Sequence, residues 1–502
     1  MRITVRALAG MIVTAILLCW FGYQQLPSLL YYNGFPEAVL QWFPNSEYAK
    51  PAANEMAYEY FENTGLDSEN YFFISPSGWG TSSSGQTVSA KQKEAAAEKL
   101  EQLLDQFGSG EMTADVRFRL AKLYFWTKQW DKAEALLRDF VISEGSESNW
   151  AGEQKAFLAV LDSRYKRSDS VPSVEGVLRI GGKPVPDAFV FLHEADSSGY
   201  HSQPFNEYPM AITDAEGTYR FYDLEPNRYE AGAGLLPEQI AGYVLAEQPS
   251  KTFEVRDGTT ASHDIDFQPQ IKVLAPTRHE LIEGEEITFR WEPYEGAAYY
   301  KLSVTTPFRD ENGKYAGGVT TQLSDRKYET PTASYSIGGP VEYNGSSDKS
   351  YEQDGSVILL TSGLLGKLHP GGEFIWSVDA YDADGRKLSS SAGYYLNEDA
   401  VAPLFRISEE GMLEGDRFIL ENKYEEAIVA YEKEGGNDRA LRVLARLAEQ
   451  GITREDGDPS KAFAYLKRLK EPTQNDLQEM VRLEQAAEKT QGSSPPAPTN
   501  QP

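Results

Sequence analysis

Hydrophobic positions change their spacing several times along the chain, and each change marks a different kind of element. Ala7–Tyr23 ("ALAGMIVTAILLCWFGY") is an uncharged run that follows Arg2 and Arg6. It is at the short end of a bilayer span, and no Lys or Arg follows until Lys50. The basic flank is therefore N-terminal, which places the rest of the chain outside the cytoplasm. No small-x-small cleavage site follows the run, and Leu18 stands where a lipoprotein signal wants a small residue before Cys19. The expectation is an uncleaved signal anchor over residues 1–25. Residues 26–89 mix aromatics with polar residues and read as a juxtamembrane segment and linker. Their first part suits either an interfacial helix or short helices packed on the next segment; "SGWGTSSSGQ" reads as linker.

From Ala90 the apolar period becomes helical. "SAKQKEAAAEKLEQLLDQF" is rich in strong helix formers and stops before a Gly-Ser-Gly breaker. In the next segment Leu120, Ala121 and Tyr124 share one helical face, and Trp130, Ala133, Leu137 and Phe140 share another. "NWAGEQKAFLAVLDSRYK" supplies a further helix. Near residue 172 short alternating runs with Gly and Pro turns take over, as strands require. Val185, Ala188, Val190 and Leu192 are the expected inward set there, with Pro186 able to shift the register. Further on, Ile287, Phe289 and Trp291 alternate, as do Tyr300, Leu302 and Val304, and then Phe374, Trp376, Val378 and Ala380. A Gly/Tyr/Asp-rich insertion at roughly 307–355 separates these runs and reads equally as a binding element or as tolerated decoration. Helical spacing returns after Pro403, and "QGSSPPAPTNQP" closes the sequence as a disordered tail over 489–502.

Several of these segments resemble known families. The large-small-aromatic helix around Leu120, Ala121 and Tyr124, with its Trp130–Ala133–Leu137 partner, resembles a tetratricopeptide (TPR) hairpin. Gly415, Phe418, Tyr424, Ala427 and Tyr431 resemble a second one, although Glu414 stands where that family wants Leu. Ala448, Gly451, Asp458, Pro459, Lys461, Ala462 and Tyr465 resemble a Sel1-like repeat. Over 172–270 the chain resembles a carboxypeptidase regulatory-like, transthyretin-type sandwich. The matching residues are Gly176-Val177, Gly182–Val185, Ala188, Val190, Thr213–Gly217, Tyr219, Phe221, Leu224, Pro226 and Tyr229. Asn227 departs from that family's usual Gly, and Asn tolerates the left-handed backbone such a turn needs. Residues 271–399 are similar to bacterial fibronectin type III-like sandwiches through the two Trp strands, the turn at Ala297 and the turn at Leu368–Gly371.

Composition narrows the function. A formal net charge of −28 argues against nucleic-acid partners and against docking on anionic lipid headgroups. The single cysteine, Cys19, forbids an intrachain disulfide. Zinc carboxypeptidases need His-x-x-Glu and a distant His, and none of His193, His201, His263, His279 and His369 has Glu three residues later. His193 and His263 have Asp there without a matching partner set, so all five read as surface or loop histidines. Ser163–Lys166 and Ser346–Lys349 match Ser-x-x-Lys, a pattern that chance supplies in a chain this long. Asp379, Asp382 and Asp384 fail the EF-hand order and read as an Asp-Gly turn.

The expected fold class is multidomain α and β. An N-terminal membrane anchor is followed by TPR-like α-helical segments at 90–168 and 404–488, which flank two antiparallel β-sandwich modules at 172–270 and 271–399. So few repeats cannot form a solenoid, so each helical end is expected to pack on its β-neighbour, on the other end or on a partner. The expected function is a non-enzymatic, single-pass, extracytoplasmic scaffold of a bacterial envelope, with no catalytic, cofactor or metal residues. Its partner would be an envelope protein or peptide held in a concave helical groove. The alternative is a surface protein that binds carbohydrate or peptidoglycan through some of its 29 tyrosines.

Overall fold

The computed structural model describes residues 23–62, 71–81, 89–108, 113–139, 150–167, 170–195, 208–247, 250–309, 315–337, 349–351, 357–394, 403–453 and 457–492. Nearly all of the expected anchor, residues 82–88 of the expected linker, most of 338–356, Phe140, His201, Ser346 and the tail from residue 493 lie outside them. Among the described residues no helix is long and apolar enough to cross a membrane. The chain divides into two compact units, 1–269 and 270–502, both mixing helices with β-sheets.

In the first unit the sheet residues explain the layering. One sheet runs in the order Gly78–Thr81, Phe72–Ser75, Asn227–Leu235, Phe189–Glu194, Met210–Ile212. The other runs Ala261–Ser262, Val174–Ile180, Ile265–Pro269, Tyr243–Leu245, with Thr218–Phe221 also paired to Val174–Ile180. The expected inward set, Val185, Ala188, Val190 and Leu192, is buried. Its odd spacing is absorbed after Pro186, where Asp187 adopts φ +52°. The opposite face of the same strand is buried as well: Phe189 and Phe191 join one core with Phe125, Trp126, Trp130 and Phe157 of the helices. A strand covered on both faces has no alternation to read, because a helical layer replaces solvent on its second side.

Four sequence expectations change here. Residues 26–62 are not a free juxtamembrane segment: Pro36–Trp42 and Ala49–Glu62 are helices whose Val39, Leu40, Ala52, Ala53 and Phe61 lie in that same core. Gly78–Thr81, read as linker, is the outer strand of a hairpin whose inner strand pairs antiparallel with Asn227–Leu235. The sandwich is not wholly antiparallel, since Ala261–Ser262 and Ile265–Pro269 run parallel to Val174–Ile180. The left-handed residue after the Tyr219 strand is Asp223, at φ +57°, and Asn227 instead opens the next strand.

In the second unit Ile287, Phe289, Trp291, Tyr300, Leu302, Val304, Phe374, Trp376, Val378 and Ala380 all fall in one buried cluster, as the alternation predicts. Five strands run in the order Glu280–Ile282, Leu404–Ile407, Glu373–Tyr381, Tyr299–Arg309, Tyr315–Gln322, and the opposing sheet is Val273–Ala275, Glu286–Trp291, Thr332–Ser336. Glu280–Ile282 pairs parallel with Leu404–Ile407, again against a purely antiparallel module. The end of the insertion is structural: Val357, Leu359, Leu364 and Leu365 share a core with the C-terminal helices. The Leu359 amide donates to the Tyr424 hydroxyl at 2.9 Å. Those helices form hairpins, Glu414–Leu420 with Tyr424–Lys433 and Asp438–Gln450 with Pro459–Leu466. Gly415 lets the first hairpin close, because a Cβ there would sit 2.5 Å from the Tyr431 ring.

His369, read as a surface or loop residue, is buried to 1% exposure in this unit. Its Nδ1 lies 3.1 Å from the Pro370 carbonyl, which only an N–H satisfies, and Nε2 has no hydrogen-bond partner. Burial holds its pKa down at about 4; Arg439 also disfavours the charged ring and Asp416 favours it. The unfolded chain therefore takes up this proton first, near the ordinary value of 6.5. Above that pH the residue adds no pH dependence; as pH falls from 6.5 to about 4 it withdraws about 3 kcal/mol of stability from residues 270–502. Hydrogen exchange of this unit across that window checks it: His369→Gln flattens the slope relative to the wild type.

Candidate functional site

The clearest concave surface among the described residues lies in the first unit, between the Ala90–Phe107 helix and the hairpin of Ala114–Trp126 with Trp130–Arg138. Each wall follows from local sequence. Ser89 and Gln92 form a reciprocal capping box that starts the long helix. Ala96, Leu100 and Leu103 then bury one stripe of it, leaving Glu94, Glu98 and Glu101 outward. The hairpin turns at Lys128, φ +60°, with Thr127 Oγ1 donating to the Leu123 carbonyl at 2.7 Å and accepting from Gln129 Nε2 at 3.1 Å. Leu120, Ala121, Trp130, Ala133 and Leu137 are buried, as their spacing predicts.

The groove holds about 390 Å³ and is lined by Ala97, Leu123 and Tyr124, by Glu94, Glu98 and Glu101, and by Lys93, Lys132, Thr127 and Gln129. Tyr124 organises it. Its hydroxyl donates to Glu101 Oε1, and Lys132 Nζ sits 4.7 Å from its ring centroid. Burial first, and then the Glu101 carboxylate, push the Tyr124 pKa up, so it stays a neutral donor. The result is an apolar floor with carboxylates, ammonium groups, a hydroxyl and an amide around it. Such a surface suits a polypeptide, which offers backbone donors and acceptors, apolar side chains and both signs of charge.

A second cleft, of about 210 Å³, runs beneath the Trp150–Asp162 helix and is lined by Ser163, Arg167, Tyr208, Arg220 and Tyr222 among others. Its charged groups are engaged. Arg220 pairs with Glu175 at 2.8 Å and Asp214 at 3.0 Å, and Arg167 pairs with Asp223 at 2.5 Å. The Ser163 hydroxyl accepts from the Ile212 amide at 2.9 Å and donates to the Val160 carbonyl. It brackets helix to sheet.

The histidines do not converge on one another in any described cluster. His193, read as a surface residue, is buried with Glu230, their side chains 3.3 Å apart. Glu230 also accepts the Ser77 amide at 2.6 Å and the Ser77 hydroxyl. The carboxylate is the shared partner of Ser77 and His193, an order that clamps the Phe72–Thr81 hairpin to the sheet. Local sequence gives no sign of this, because Ser77 and Glu230 lie 153 positions apart. His263 stacks on Phe253, with centroids 4.5 Å apart, and burial lowers its pKa. His279 lies 3.5 Å from Glu373. Asp382 caps its own turn, accepting from the Asp384 and Arg386 amides at 3.0 and 2.8 Å, while Asp379 pairs with Lys387. Among the described residues no group of three or more His, Cys, Asp or Glu side chains is placed to hold a metal ion.

No protein-family model matches the chain, and no curated protein matches it. Among solved structures, a DUF3823 family protein from Parabacteroides merdae aligns at 10% identity and TM-score 0.16, over 47% of this chain and 97% of that one. The major pilin subunit of Bacillus cereus aligns at 14% identity and TM-score 0.16, over 47% and 96%. A putative carbohydrate binding protein from Bacteroides uniformis aligns at 14% identity and TM-score 0.14, over 44% and 98%. Likenesses at these TM-scores carry no argument about what this chain does.

Proposed function

We propose that this chain is a non-enzymatic scaffold, tethered to a membrane through residues 1–25, that holds a peptide segment of an envelope protein on its extracytoplasmic side. The observation that carries this reading is the groove beside Tyr124, whose floor is apolar and whose rim presents both signs of charge. The hairpin that forms it keeps the TPR-like spacing of Leu120, Ala121, Tyr124, Trp130 and Ala133, and repeats of that kind hold peptides on concave faces. The carbohydrate alternative draws no comparable support. Tyr71, Tyr219, Tyr300 and Tyr431 fill cores and present no ring face for a sugar.

The test is selection of peptides from a random library on the full-length protein. Peptides that occupy the groove lose about tenfold in affinity when Lys132→Glu reverses a rim charge. Enriched peptides that bind this variant unchanged would show that they bind elsewhere. Retention of the variant on peptidoglycan at wild-type strength, without any peptide enrichment, would favour the carbohydrate alternative.

A further inference from the structure

The helices that open the first unit leave a run of large apolar side chains uncovered: Tyr23 is 60% exposed, Leu29 60%, Tyr32 76%, Phe35 57% and Trp42 59%. They are not loosely scattered. Their helices are fixed from beneath by Val39, Leu40 and Ala49 in the common core. The Tyr23 ring lies 5.1 Å from Phe43, beside Trp42, and the Tyr32 ring lies 5.8 Å from Tyr48. In sequence these residues begin where the uncharged run Ala7–Tyr23 ends. Between Arg6 and Lys50 there is no cation, and the only acids are Glu37 and Glu47.

We infer that this aromatic face lies in the interfacial layer of the membrane, with its rings at the boundary between headgroups and acyl chains. Tyr and Trp favour that layer because their apolar bodies leave water while their polar tips stay wet. The absence of Lys and Arg rules out attraction to anionic lipid as the driving term, so burial of apolar area supplies it. The first unit then rests against the bilayer instead of swinging on a tether. The inference rests on the anchored reading proposed above.

The experiment uses the full chain in phosphatidylcholine vesicles, with Cys19→Ser and an environment-sensitive fluorophore on either Phe35→Cys or Lys183→Cys. Lys183 is an exposed residue of a short strand elsewhere in the same unit. If the inference holds, the protein floats with the vesicles. The Phe35 probe then shifts to the blue and is quenched by shallow spin-labelled lipid several-fold more than the Lys183 probe. Adding anionic lipid leaves that ratio unchanged. Flotation with equal quenching at both positions overturns the aromatic contact while sparing the anchor, and failure to float overturns both. A blue shift at Phe35 without lipid quenching also overturns it, since a second copy of the chain would then be the cover.

Discussion

Phe189→Ala lowers the stability of residues 1–269 by about 3–5 kcal/mol, and hydrogen-exchange protection falls together in the Ala114–Trp126 helix and the Phe189–Glu194 strand. The reason is the position of this one ring. It is fully buried and lies 5.0 Å from Tyr71, 5.6 Å from both Phe125 and Trp126, and 5.9 Å from Trp130. Truncation opens a cavity where helices and sheet meet, and the surrounding rings cannot all move to fill it. Loss of protection in the strand alone, with the helices unaffected, would show that the helical layer folds independently of the sheet.

The second large effect is expected at Glu230. Glu230→Ala leaves His193 and the Ser77 amide without their buried partner, and removing one side of such a pair costs about 3–5 kcal/mol. Burial alone would raise the Glu230 pKa, but hydrogen bonds from His193, Ser77 and Ser75 outweigh it and hold the carboxyl down at about 2. His193 is raised by the same pairing with Glu230, with burial opposing. The signs follow from linkage. The Glu230 contribution is full above its ordinary pKa of 4.5 and is lost as pH falls toward about 2. The His193 contribution is full below 6.5 and is lost as pH rises through its raised value. Urea unfolding from pH 3 to 9 therefore shows wild type minus Glu230→Ala greatest at about pH 4.5–6.5. A difference independent of pH would mean that Glu230 acts through packing and not through charge.

The parts of this fold legible in sequence are those whose partners repeat a local period. The alternation at Ile287–Trp291 and Phe374–Ala380 identified the core of the second sandwich residue by residue. The helical spacing of Leu120, Ala121 and Ala133 identified buried faces in the same way. What escaped was burial imposed from far away. Phe189 and Phe191 look like the solvent side of a strand until a helical layer covers them. Ser77 sits in a Ser/Gly-rich stretch whose composition suggests a linker, yet its hairpin is fixed by a carboxylate 153 positions later. Val357 and Leu359 follow a polar insertion, and their burial depends on helices that begin beyond residue 413. The expectation that each helical end packs on its β-neighbour is met in both units by shared hydrogen bonds or shared core. The groove itself was implied only by the TPR-like resemblance. Its lining charges, Glu98 and Lys132, look in sequence like any solvated helix face.

The groove carries the functional claim. A photo-crosslinking residue in place of Glu98, in the full-length protein in its own membranes, tests it directly, with the same residue in place of exposed Glu216 as the control. A groove that holds a peptide gives a covalent polypeptide adduct from position 98, absent from position 216 and diminished by Lys132→Glu. Equal labelling at both positions, or none at position 98, would contradict it.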